Sequence, residues 1–436
     1  MPLSFGQEQM WLHSQFAPEV PLYNESLTIH RRGLLNPDAL VASFREIVRR
    51  HEIWRTTFGW SHGELVQHVR ADIEPRLQVT DLRRLSNDER EPSALELAAA
   101  DLRRPFDLSR EPGVRAHLVT LSDCDHRLYL CLHHMVFDGI SIYRVFLPEL
   151  AALYQAKVSN TPNAFEEPPI QYGDFAYWQR HSVNEESLAV LEAYWRKQLV
   201  GAPRMIDLPT DHPRPRVQSF RGAVVRFEFP ADLTTAARSA AVGENCTLFM
   251  LLFASFIATL HRRTGQTDIV VGSVSGGRDE PELQHLIGCF LRVLAIRGDL
   301  RGDPPFREIL QRVRTSLVDA LCHEALPFQR LVRAVGPERD LGRSPLFQVT
   351  FSIEPPMPDL GPEWDLSEMD AGTTVSKFDL SVELEDRGQV VIGRAIYSTD
   401  LFESSTVSEL LSDWTSLLRR GVSDPQQRLR DLVAFP

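Results

Sequence analysis

Apolar and polar residues recur along this chain with two different periods, which predicts a protein built of both helices and strands. Residues 36–50 repeat their apolar positions three and four apart, after an asparagine that can cap a helix and a proline suited to its first turn. Residues 114–121 and 127–132 alternate with period two, and the polar residues between them predict a turn that pairs two strands. A helical pattern resumes at residues 141–156, so the first part of the chain is predicted to mix helices and strands.

The rest of the chain repeats this alternation after a break. Residues 157–171 are rich in proline, asparagine and acidic residues, which is typical of a linker. Within the second alternation, residues 354–376 are irregular, and a loop of this length could cross from one half to the other. We therefore predict an α/β (α+β) protein with two lobes, residues 1–176 and residues 177–436.

Composition and charge limit the classes of function. The chain has 436 residues, of which 43% are hydrophobic and 24% charged, as in globular proteins with a substantial core. A formal net charge of −12 argues against a broad nucleic-acid-binding face, which needs clustered positive charge. The longest apolar run, residues 248–260, is too short to span a bilayer and predicts a buried core helix. The N-terminus lacks the pattern of a signal peptide, so we expect a cytoplasmic protein with neither nucleic-acid nor membrane partners.

Cysteine spacing gives no sign of a metal site. The sequence contains no C-x-x-C pair, so it favours neither a zinc site nor a disulfide framework. We predict buried free thiols in a reducing compartment for all five cysteines. They are Cys124, Cys131, Cys246, Cys289 and Cys322.

Two adjacent histidines end an apolar run in the segment LCLHHMVFDGIS, residues 130–141. In a strand of period two, His134 shares a face with the leucines two and four positions before it, and His133 points the opposite way. Adjacent imidazoles on a strand therefore cannot both bind one metal ion. One imidazole is predicted to enter a cavity, and the other to pack or to form a hydrogen bond.

The residues that follow the histidines suit a strand-to-helix junction. Gly139 lies where backbone N–H groups can face a developing negative charge. Asp138 could hold an arginine or cap the helix. Ser141 could act as a nucleophile, but a cap at the start of the helix is the better interpretation because nothing marks it as activated.

This motif and six further blocks resemble the condensation domains of nonribosomal peptide synthetases, and the resemblance runs through nearly the whole chain. In the family's order the blocks are SFGQEQMWL (4–12), RHEIWRTTF (50–58), HHMVFDG (133–139), YGDFAYW (172–178), IGCFLRVL (287–294), HEALPFQ (323–329) and RDLGRSPLFQV (339–349). The third and fourth match the family pattern completely. Departures occur at Gly6, Gln9 and Trp54, and Leu291-Arg292 replaces the usual valine–asparagine of the fifth block.

The resemblance implies a V-shaped pseudo-dimer of chloramphenicol-acetyltransferase-like lobes, with His134 midway along a central tunnel. It implies two carrier proteins as partners, which deliver acyl and aminoacyl thioesters on phosphopantetheine arms, and no permanently bound cofactor or metal. The acceptor amine attacks the donor thioester, and an amide forms. The chain shows neither a carrier block nor an adenylation motif, so we expect a monomer that meets its carriers in trans or a domain of a longer synthetase.

The resemblance also suggests a role for each residue of the motif. A neutral imidazole at His134 can take a proton from, or orient, the attacking amine near physiological pH. The Gly139 N–H could receive the oxyanion of the tetrahedral intermediate. The family's carboxylate pairs with an arginine, which Arg278 matches here, so His133, Asp138 and Arg278 are expected to support the loop.

Several alternatives share parts of the pattern. An epimerisation domain has the same histidine motif, but DGISI lacks the tryptophan that typically follows in that branch. A heterocyclisation domain would have aspartates in place of the histidines, and a plant-type acyltransferase would carry a D-F-G-W-G block. A non-catalytic domain that recruits partners to a synthetase usually has a broken motif. Within the condensing branches, Tyr23-Asn24 and the LSFGQ opening favour an L-residue or a fatty-acyl starter reaction.

Overall fold

The structure is a computed structural model that describes residues 1–73, 75–162, 165–182, 184–336, 340–356, 358–361, 363–367 and 373–435. Its strands are β1 (Asn24–Arg32), β2 (Thr56–Ser61), β3 (Glu64–Val69), β4 (Leu77–Asp81), β5 (Val114–Ser122), β6 (Asp125–His133), β7 (Gly222–Phe229), β8 (Asp268–Ser275), β9 (Arg292–Asp299), β10 (Val349–Ile353), β11 (Trp364–Ser367), β12 (Leu380–Asp386) and β13 (Val391–Ser398).

Helices account for most of the remaining regular structure. The α-helices are α1 (Phe5–Ser14), α2 (Pro37–Arg50), α3 (Asn87–Arg103), α4 (Leu147–Val158), α5 (Tyr172–Ser182), α6 (Glu185–Leu199), α7 (Ala231–Gly243), α8 (Leu248–Thr264), α9 (Phe306–Leu321), α10 (Phe328–Val335), α11 (Ser404–Ser423) and α12 (Leu429–Leu432). Short 3-10 turns occur at Glu52–Arg55, His134–Val136 and Pro281–His285, and a π-helix at Ser141–Phe146.

The chain divides into two compact units, and neither is continuous in sequence. The first comprises Met1–Asn184, Gly276–Leu291 and Met357–Thr373. The second contains all the intervening segments and the C-terminus. The predicted lobes, residues 1–176 and 177–436, differ from this division because the first unit continues to Asn184 and two later segments also pack with it. One of them includes β11, which pairs with β1 inside the stretch predicted to be irregular.

The first unit is built on a five-stranded sheet in the order β11-β1-β6-β5-β4, beside a separate hairpin of β2 and β3. β6 is the central strand and runs antiparallel to both β1 and β5. Helix α3 covers part of this sheet with Ala94, Ala98 and Leu102, all of them buried. Small residues on this helix face allow a close approach to the sheet. The central strand ends at His133, so the sheet fixes where the histidine motif begins.

The second unit contains a six-stranded sheet in the order β7-β13-β12-β10-β8-β9. Its helix α8 is buried from Met250 to Leu260, which confirms the core helix predicted from the apolar run. The polar Ser255 within that run accepts a 2.8 Å hydrogen bond from Trp414 Nε1. Such a partner removes most of the cost of burying a hydroxyl.

Local predictions for the first unit are largely confirmed. Helix α2 begins after Asn36, whose side chain accepts a hydrogen bond from the Ala39 N–H at 3.1 Å. The two predicted strands form the antiparallel pair β5–β6. The helix predicted from residue 141 begins instead as the π-helix Ser141–Phe146 and continues as α4.

The prediction that all five cysteines are buried is wrong for three of them, because Cys246 is only half-buried and two others are exposed. Cys131 and Cys289 are buried, whereas Cys124 and Cys322 are exposed. Cys124 lies in the turn between two strands, and Cys322 is the C-cap of α9, both positions where a side chain faces solvent.

Among the described residues, no single helix has the length and apolar character needed to cross a membrane. Helices α7 and α8 reach the threshold only when taken together, and they are bent by 106°.

Candidate active site

The histidine motif occupies the end of the central strand and the turn that follows it. β6 ends at His133, and His134 begins the 3-10 turn His134–Val136. The prediction that His134 continues the leucine face of the strand is therefore wrong, because the strand period no longer applies once the chain has turned. The two imidazoles still have different surroundings: His133 is buried, and His134 is half-buried.

His134 is held at its main chain and at one ring nitrogen. Its N–H donates to the Tyr23 carbonyl at 2.9 Å. Nδ1 lies 3.1 Å from the Phe137 carbonyl oxygen, and the Phe137 ring stacks on the imidazole with a centroid distance of 4.9 Å and an interplanar angle of 20°. The Cys289 sulfur is 3.9 Å from the same Nδ1. A carbonyl only accepts, so this hydrogen bond places the ring proton on Nδ1 and leaves Nε2 with its lone pair.

His133 is buried and stabilises the 3-10 turn His134–Val136 through its side chain. Its Nδ1 accepts a 3.3 Å hydrogen bond from the Met135 N–H, and its own N–H donates to the Gly113 carbonyl at 2.8 Å. The side chain is only 5% exposed. This is a hydrogen-bonding position of the kind predicted for one of the two histidines.

Asp138 is fully buried, and its carboxylate is saturated with donors. Oδ1 accepts from the Ser141 N–H at 2.7 Å and lies 3.0 Å from Arg278 Nη2. Oδ2 accepts from the Phe290 N–H at 2.9 Å. Asp138 thus both caps the following helix and holds an arginine, the two roles considered for it from the sequence.

Arg278 binds Asp138 of the motif and also two main-chain carbonyls of its own segment, Gly276–Leu291. Its Nη1 donates to the carbonyls of Leu283 and Leu286, the latter at 2.8 Å, and the guanidinium lies 4.0 Å from the centre of the Phe290 ring. The side chain is only 2% exposed. Nε is buried without a hydrogen-bond partner among the described residues, so the guanidinium is held by its two terminal nitrogens and by the aromatic face.

Ser141 is a structural connector and not the helix cap that the sequence suggested. Its hydroxyl lies 2.8 Å from Asp138 Oδ1 and 2.8 Å from the Gly288 carbonyl, and it accepts from Arg278 Nη2 at 2.8 Å. The cap is Asp138, because its carboxylate receives the Ser141 N–H. The carboxylate beside this fully buried hydroxyl is that of Asp138, which is already bound by Arg278 and the Phe290 N–H, so the surroundings give no support to a nucleophilic role.

Gly139 is the first residue of a helical turn, and the Asp138 carbonyl accepts from the Ile142 N–H at 3.2 Å. The first position of a helix accepts any residue, and the φ of Gly139 is not positive, so the turn does not need glycine for its backbone angles. The first N–H groups of a helix have no intrahelical partner. The Gly139 N–H therefore has the free orientation that an oxyanion donor needs.

Three residues of other blocks hold this site, and the sequence indicates them only as members of those blocks: Gln7, Tyr172 and Gly288. Gln7 Nε2 donates to the Met135 carbonyl at 3.1 Å, which fixes the turn after His134 from helix α1. The Tyr172 hydroxyl donates to the Cys289 carbonyl at 2.5 Å, and burial raises the pKa of this phenol well above its usual value. The Tyr172 ring covers Gly288 so closely that a Cβ there would overlap it. No local pattern in the sequence predicts these contacts, because each joins segments more than 100 residues apart.

Within the part of the chain that the structure describes, no group of three or more His, Cys, Asp or Glu side chains has the arrangement of a metal site. The arrangement around His134 offers a ring nitrogen with a defined tautomer, a helix N-terminus and a buried ion pair. These are elements of acyl-transfer chemistry that proceeds by proton transfer and oxyanion stabilisation.

A family model described as "Condensation domain" matches residues 1–436. The chain belongs to the condensation-domain family. Condensation domains are the amide-forming acyltransferases of nonribosomal peptide synthetases, and they have a two-lobed chloramphenicol-acetyltransferase-like fold. The resemblance seen in the seven sequence blocks is thereby confirmed.

Curated relatives of this condensation domain are large synthetases. It is 40% identical over 442 residues to the phosphinothricin tripeptide synthetase PhsC of Streptomyces viridochromogenes, a match that covers 99% of this chain and 40% of the relative. It is 36% identical over 434 residues to the malpibaldin synthetase of Mortierella alpina, a match that covers 98% of this chain and 8% of that protein. The chain thus spans less than half the length of either relative.

Solved structures share the fold over nearly the whole chain. The X-domain from teicoplanin biosynthesis has a TM-score of 0.84 at 27% identity and covers 99% of this condensation domain and 96% of its own chain. SgcC5 from Streptomyces globisporus has a TM-score of 0.84 at 28% identity, with 98% and 100% covered. The condensation domain of the monacolin K polyketide synthase MokA, at 19% identity and a TM-score of 0.87, is similar in fold.

Proposed function

We propose that this condensation domain joins a donor acyl or peptidyl thioester to the amine of an acceptor aminoacyl thioester. Both substrates arrive on the phosphopantetheine arms of carrier proteins, one upstream and one downstream. The amine nitrogen forms a bond to the thioester carbonyl carbon, the carbon–sulfur bond breaks, and the donor carrier keeps its thiol. The observation that carries the proposal is the arrangement of His134, whose Nδ1 faces the Phe137 carbonyl at 3.1 Å.

His134 acts on the amine in this proposal. An α-ammonium group has an ordinary pKa near 8 and must lose a proton before it can attack. The Nε2 lone pair accepts that proton or orients the neutral amine, and the Nδ1–H bond to Phe137 stabilises the ring as it becomes positive. Proximity supplies much of the remaining acceleration, because well-oriented reactants can gain up to ~7–11 kcal/mol.

Gly139 and the buried ion pair complete the proposed site. The Gly139 N–H, at the start of its helix, receives the oxyanion of the tetrahedral intermediate. Asp138 and Arg278 hold the loop, and the bonds to Ser141 and Phe290 leave Asp138 no capacity for acid–base work. His133 keeps the 3-10 turn in place. His134 and Gly139 are thus the proposed catalytic residues, and the other three support them.

The branch we propose joins two L-residues or attaches a fatty-acyl starter. Support comes from the Tyr23-Asn24 pair and the opening LSFGQ segment. Both branches use the same site, and they differ in the donor. An assay with an L-aminoacyl donor and a fatty-acyl donor, each offered against one acceptor, distinguishes them. A product with inverted stereochemistry at the donor residue would instead favour the epimerisation alternative.

The experiment that tests the proposal is His134→Ala in the full chain. Donor-loaded and acceptor-loaded carriers are incubated with the protein, and the acyl chains on both carriers are weighed by mass spectrometry. We expect amide formation to fall by about 10²–10⁴-fold with an unchanged melting temperature, because a half-buried general base is lost and no core volume is removed. His181→Ala, at an exposed histidine of α5, is the matched control. Turnover near the wild-type rate in His134→Ala would contradict the assignment.

A second candidate is a non-catalytic domain that recruits a partner to a synthetase. The observation in its favour is the 27% identity to the X-domain, which a second solved structure contains in complex with OxyB. The same assay separates the two candidates. A recruiting domain would leave both loaded carriers unchanged with the wild-type protein.

A further inference from the structure

Phe137 contacts His134 through both its main chain and its side chain. Its carbonyl oxygen lies 3.1 Å from Nδ1, and its ring is stacked on the imidazole at 4.9 Å. Phe137 itself is 8% exposed and extended, with φ −159° and ψ 168°. It stands between the 3-10 turn that begins with His134 and the helix that begins at Gly139. One residue thus sets two properties of the imidazole ring.

The carbonyl contact selects a tautomer. A neutral imidazole has one ring proton, and only a proton on Nδ1 can satisfy an acceptor at that nitrogen. The competing neighbour is the Cys289 thiol at 3.9 Å, which could donate to a bare Nδ1 but is a weak donor. The Phe137 carbonyl is both closer and a stronger hydrogen-bonding group. The proton therefore stays on Nδ1.

The ring contact acts on the charge that His134 acquires. The face of an aromatic ring attracts a cation, and the attraction is larger where water is excluded. When His134 takes a proton, the imidazolium lies over the Phe137 face and its Nδ1–H bond to the carbonyl becomes charge-assisted. We propose that Phe137 is a positioning residue for His134, which fixes its tautomer through the carbonyl and stabilises its protonated form through the ring. This inference rests on the proposed function, in which His134 is the base.

Other ionisable groups near the imidazole come from three segments of the first unit. His133 precedes it in the chain, and Tyr23 binds its main-chain N–H. From the segment Gly276–Leu291, Cys289 faces Nδ1, and Arg278 is paired with Asp138. Replacing the Phe137 ring alters none of these charges, so a change in the pH dependence reports on the ring.

The test is Phe137→Leu, which keeps the carbonyl and removes the aromatic face. Amide formation is timed against pH in the full chain with saturating loaded carriers. We expect the rate at the plateau to fall about three- to tenfold, and the acid limb of the profile to move to lower pH by about half a unit, since the imidazolium loses a cation–π contact. Phe137→Tyr keeps the ring and is expected to restore both.

Phe106→Leu is the matched control. Phe106 meets His133 edge-on, with a centroid distance of 6.1 Å, so the same change is made beside the histidine that takes no proton in this proposal. We expect the acid limb of the pH–rate profile of Phe106→Leu to coincide with that of the wild type, even where this variant is less stable. An unshifted acid limb in Phe137→Leu would overturn the role of the ring, because loss of a purely structural residue lowers the rate without shifting the pH dependence.

Nitrogen-15 NMR of histidine-labelled protein tests the tautomer without any turnover. We expect the His134 signals, assigned with His134→Gln, to show the proton on Nδ1 in the wild type and in Phe137→Leu. A proton on Nε2 in the wild type would overturn the role of the carbonyl. These readings are separate from the test of the proposed function, which fails if the wild-type protein does not condense its substrates or if His134→Ala still does.

Discussion

Asp138 and Arg278 are 140 residues apart in the sequence, and in the fold they form a buried ion pair with Oδ1 3.0 Å from Nη2. Both side chains are almost completely withdrawn from solvent. The cost of burying each charge is offset by the other and by the hydrogen bonds from Ser141 and Phe290. The stability of the motif therefore depends on both members of the pair.

Asp138→Ala should lose both stability and activity. The change leaves the Arg278 guanidinium buried without its carboxylate, and removing one partner of such a pair costs about 3–5 kcal/mol. Chemical denaturation measures the free energy of unfolding, with Glu280→Ala as the control at an exposed acidic residue of the same segment. The double variant Asp138→Ala/Arg278→Ala should lose less than the sum of the single changes. An unchanged unfolding free energy in Asp138→Ala would mean that the pair contributes nothing.

Gly139→Ala should fold normally and turn over slowly. The backbone is helical at this position, so alanine is compatible with its backbone angles, and its methyl group is expected to obstruct the approach of the thioester carbonyl to the N–H. Loss of an oxyanion donor lowers the rate by about 10²–10³-fold in other enzymes, and we expect an effect up to that size. Melting temperature, carrier affinity and amide formation are measured separately. Full turnover would show that this N–H does not hold the oxyanion.

Gly288→Ala, unlike Gly139→Ala, should lose stability. A methyl group here would overlap the Tyr172 ring, which is buried and cannot move away. Overpacking of this kind costs about 1–3 kcal/mol, so the melting temperature should fall. Activity should fall with it, because Gly288 is bonded to Ser141 on the motif helix. Gly243→Ala, at a position with open space around it, should leave the melting temperature almost unchanged.

Condensation should proceed without an acyl-enzyme. Ser141 is fully buried, and its hydroxyl is bound to the Gly288 carbonyl and to Asp138, a carboxylate that is itself paired with Arg278. Such a hydroxyl is not exposed to a thioester and has no base dedicated to it among the described residues. Incubation with the donor-loaded carrier alone should leave the intact mass of the protein unchanged. A stable acyl adduct on Ser141 or on a cysteine would instead indicate transfer in two steps.

Acid should weaken the first unit through Glu149. Burial acts to raise the pKa of this carboxyl, but hydrogen bonds and charge from His51 and Arg50 outweigh it and lower the pKa below its usual value. A lowered pKa in the fold contributes stability above the unfolded value of about 4.3, and that contribution is lost as the pH falls through the folded value. The difference in melting temperature between the wild type and Glu149→Gln should therefore be largest near neutral pH and shrink below about pH 4. A constant difference would contradict the lowered pKa.

Local elements and the central motif could be predicted from the sequence, because they depend on neighbours in the chain. The cap at Asn36, the β5–β6 pair and the buried helix α8 each follow from spacing within one segment. The geometry after His133 could not be predicted in the same way. The 3-10 turn is held by contacts that Tyr23 and Gln7 make from elsewhere in the fold, and a strand period within the segment cannot predict them.

The residues that hold the motif in place could be predicted from the sequence only in part. The family resemblance predicts the role of Arg278, whereas the local sequence favours a capping role for Ser141, which is wrong. Its true role needs the Gly288 carbonyl, 147 residues away. Part of the region predicted to cross between halves, residues 357, 362 and 368–372, lies outside the described residues, as does residue 339 at the start of the seventh block.

The segment Gly276–Leu291 belongs to the first unit, although it lies in sequence between two strands of the second. During synthesis on the ribosome, Asp138 emerges long before the arginine that neutralises it. The buried ion pair of the motif cannot form until residue 278 has been translated. The same order constrains synthetase engineering: a chimera joined between residues 184 and 276 gives the histidine motif of one parent the arginine segment of another. Crossovers that carry Gly276–Leu291 with the N-terminal part keep the native pair.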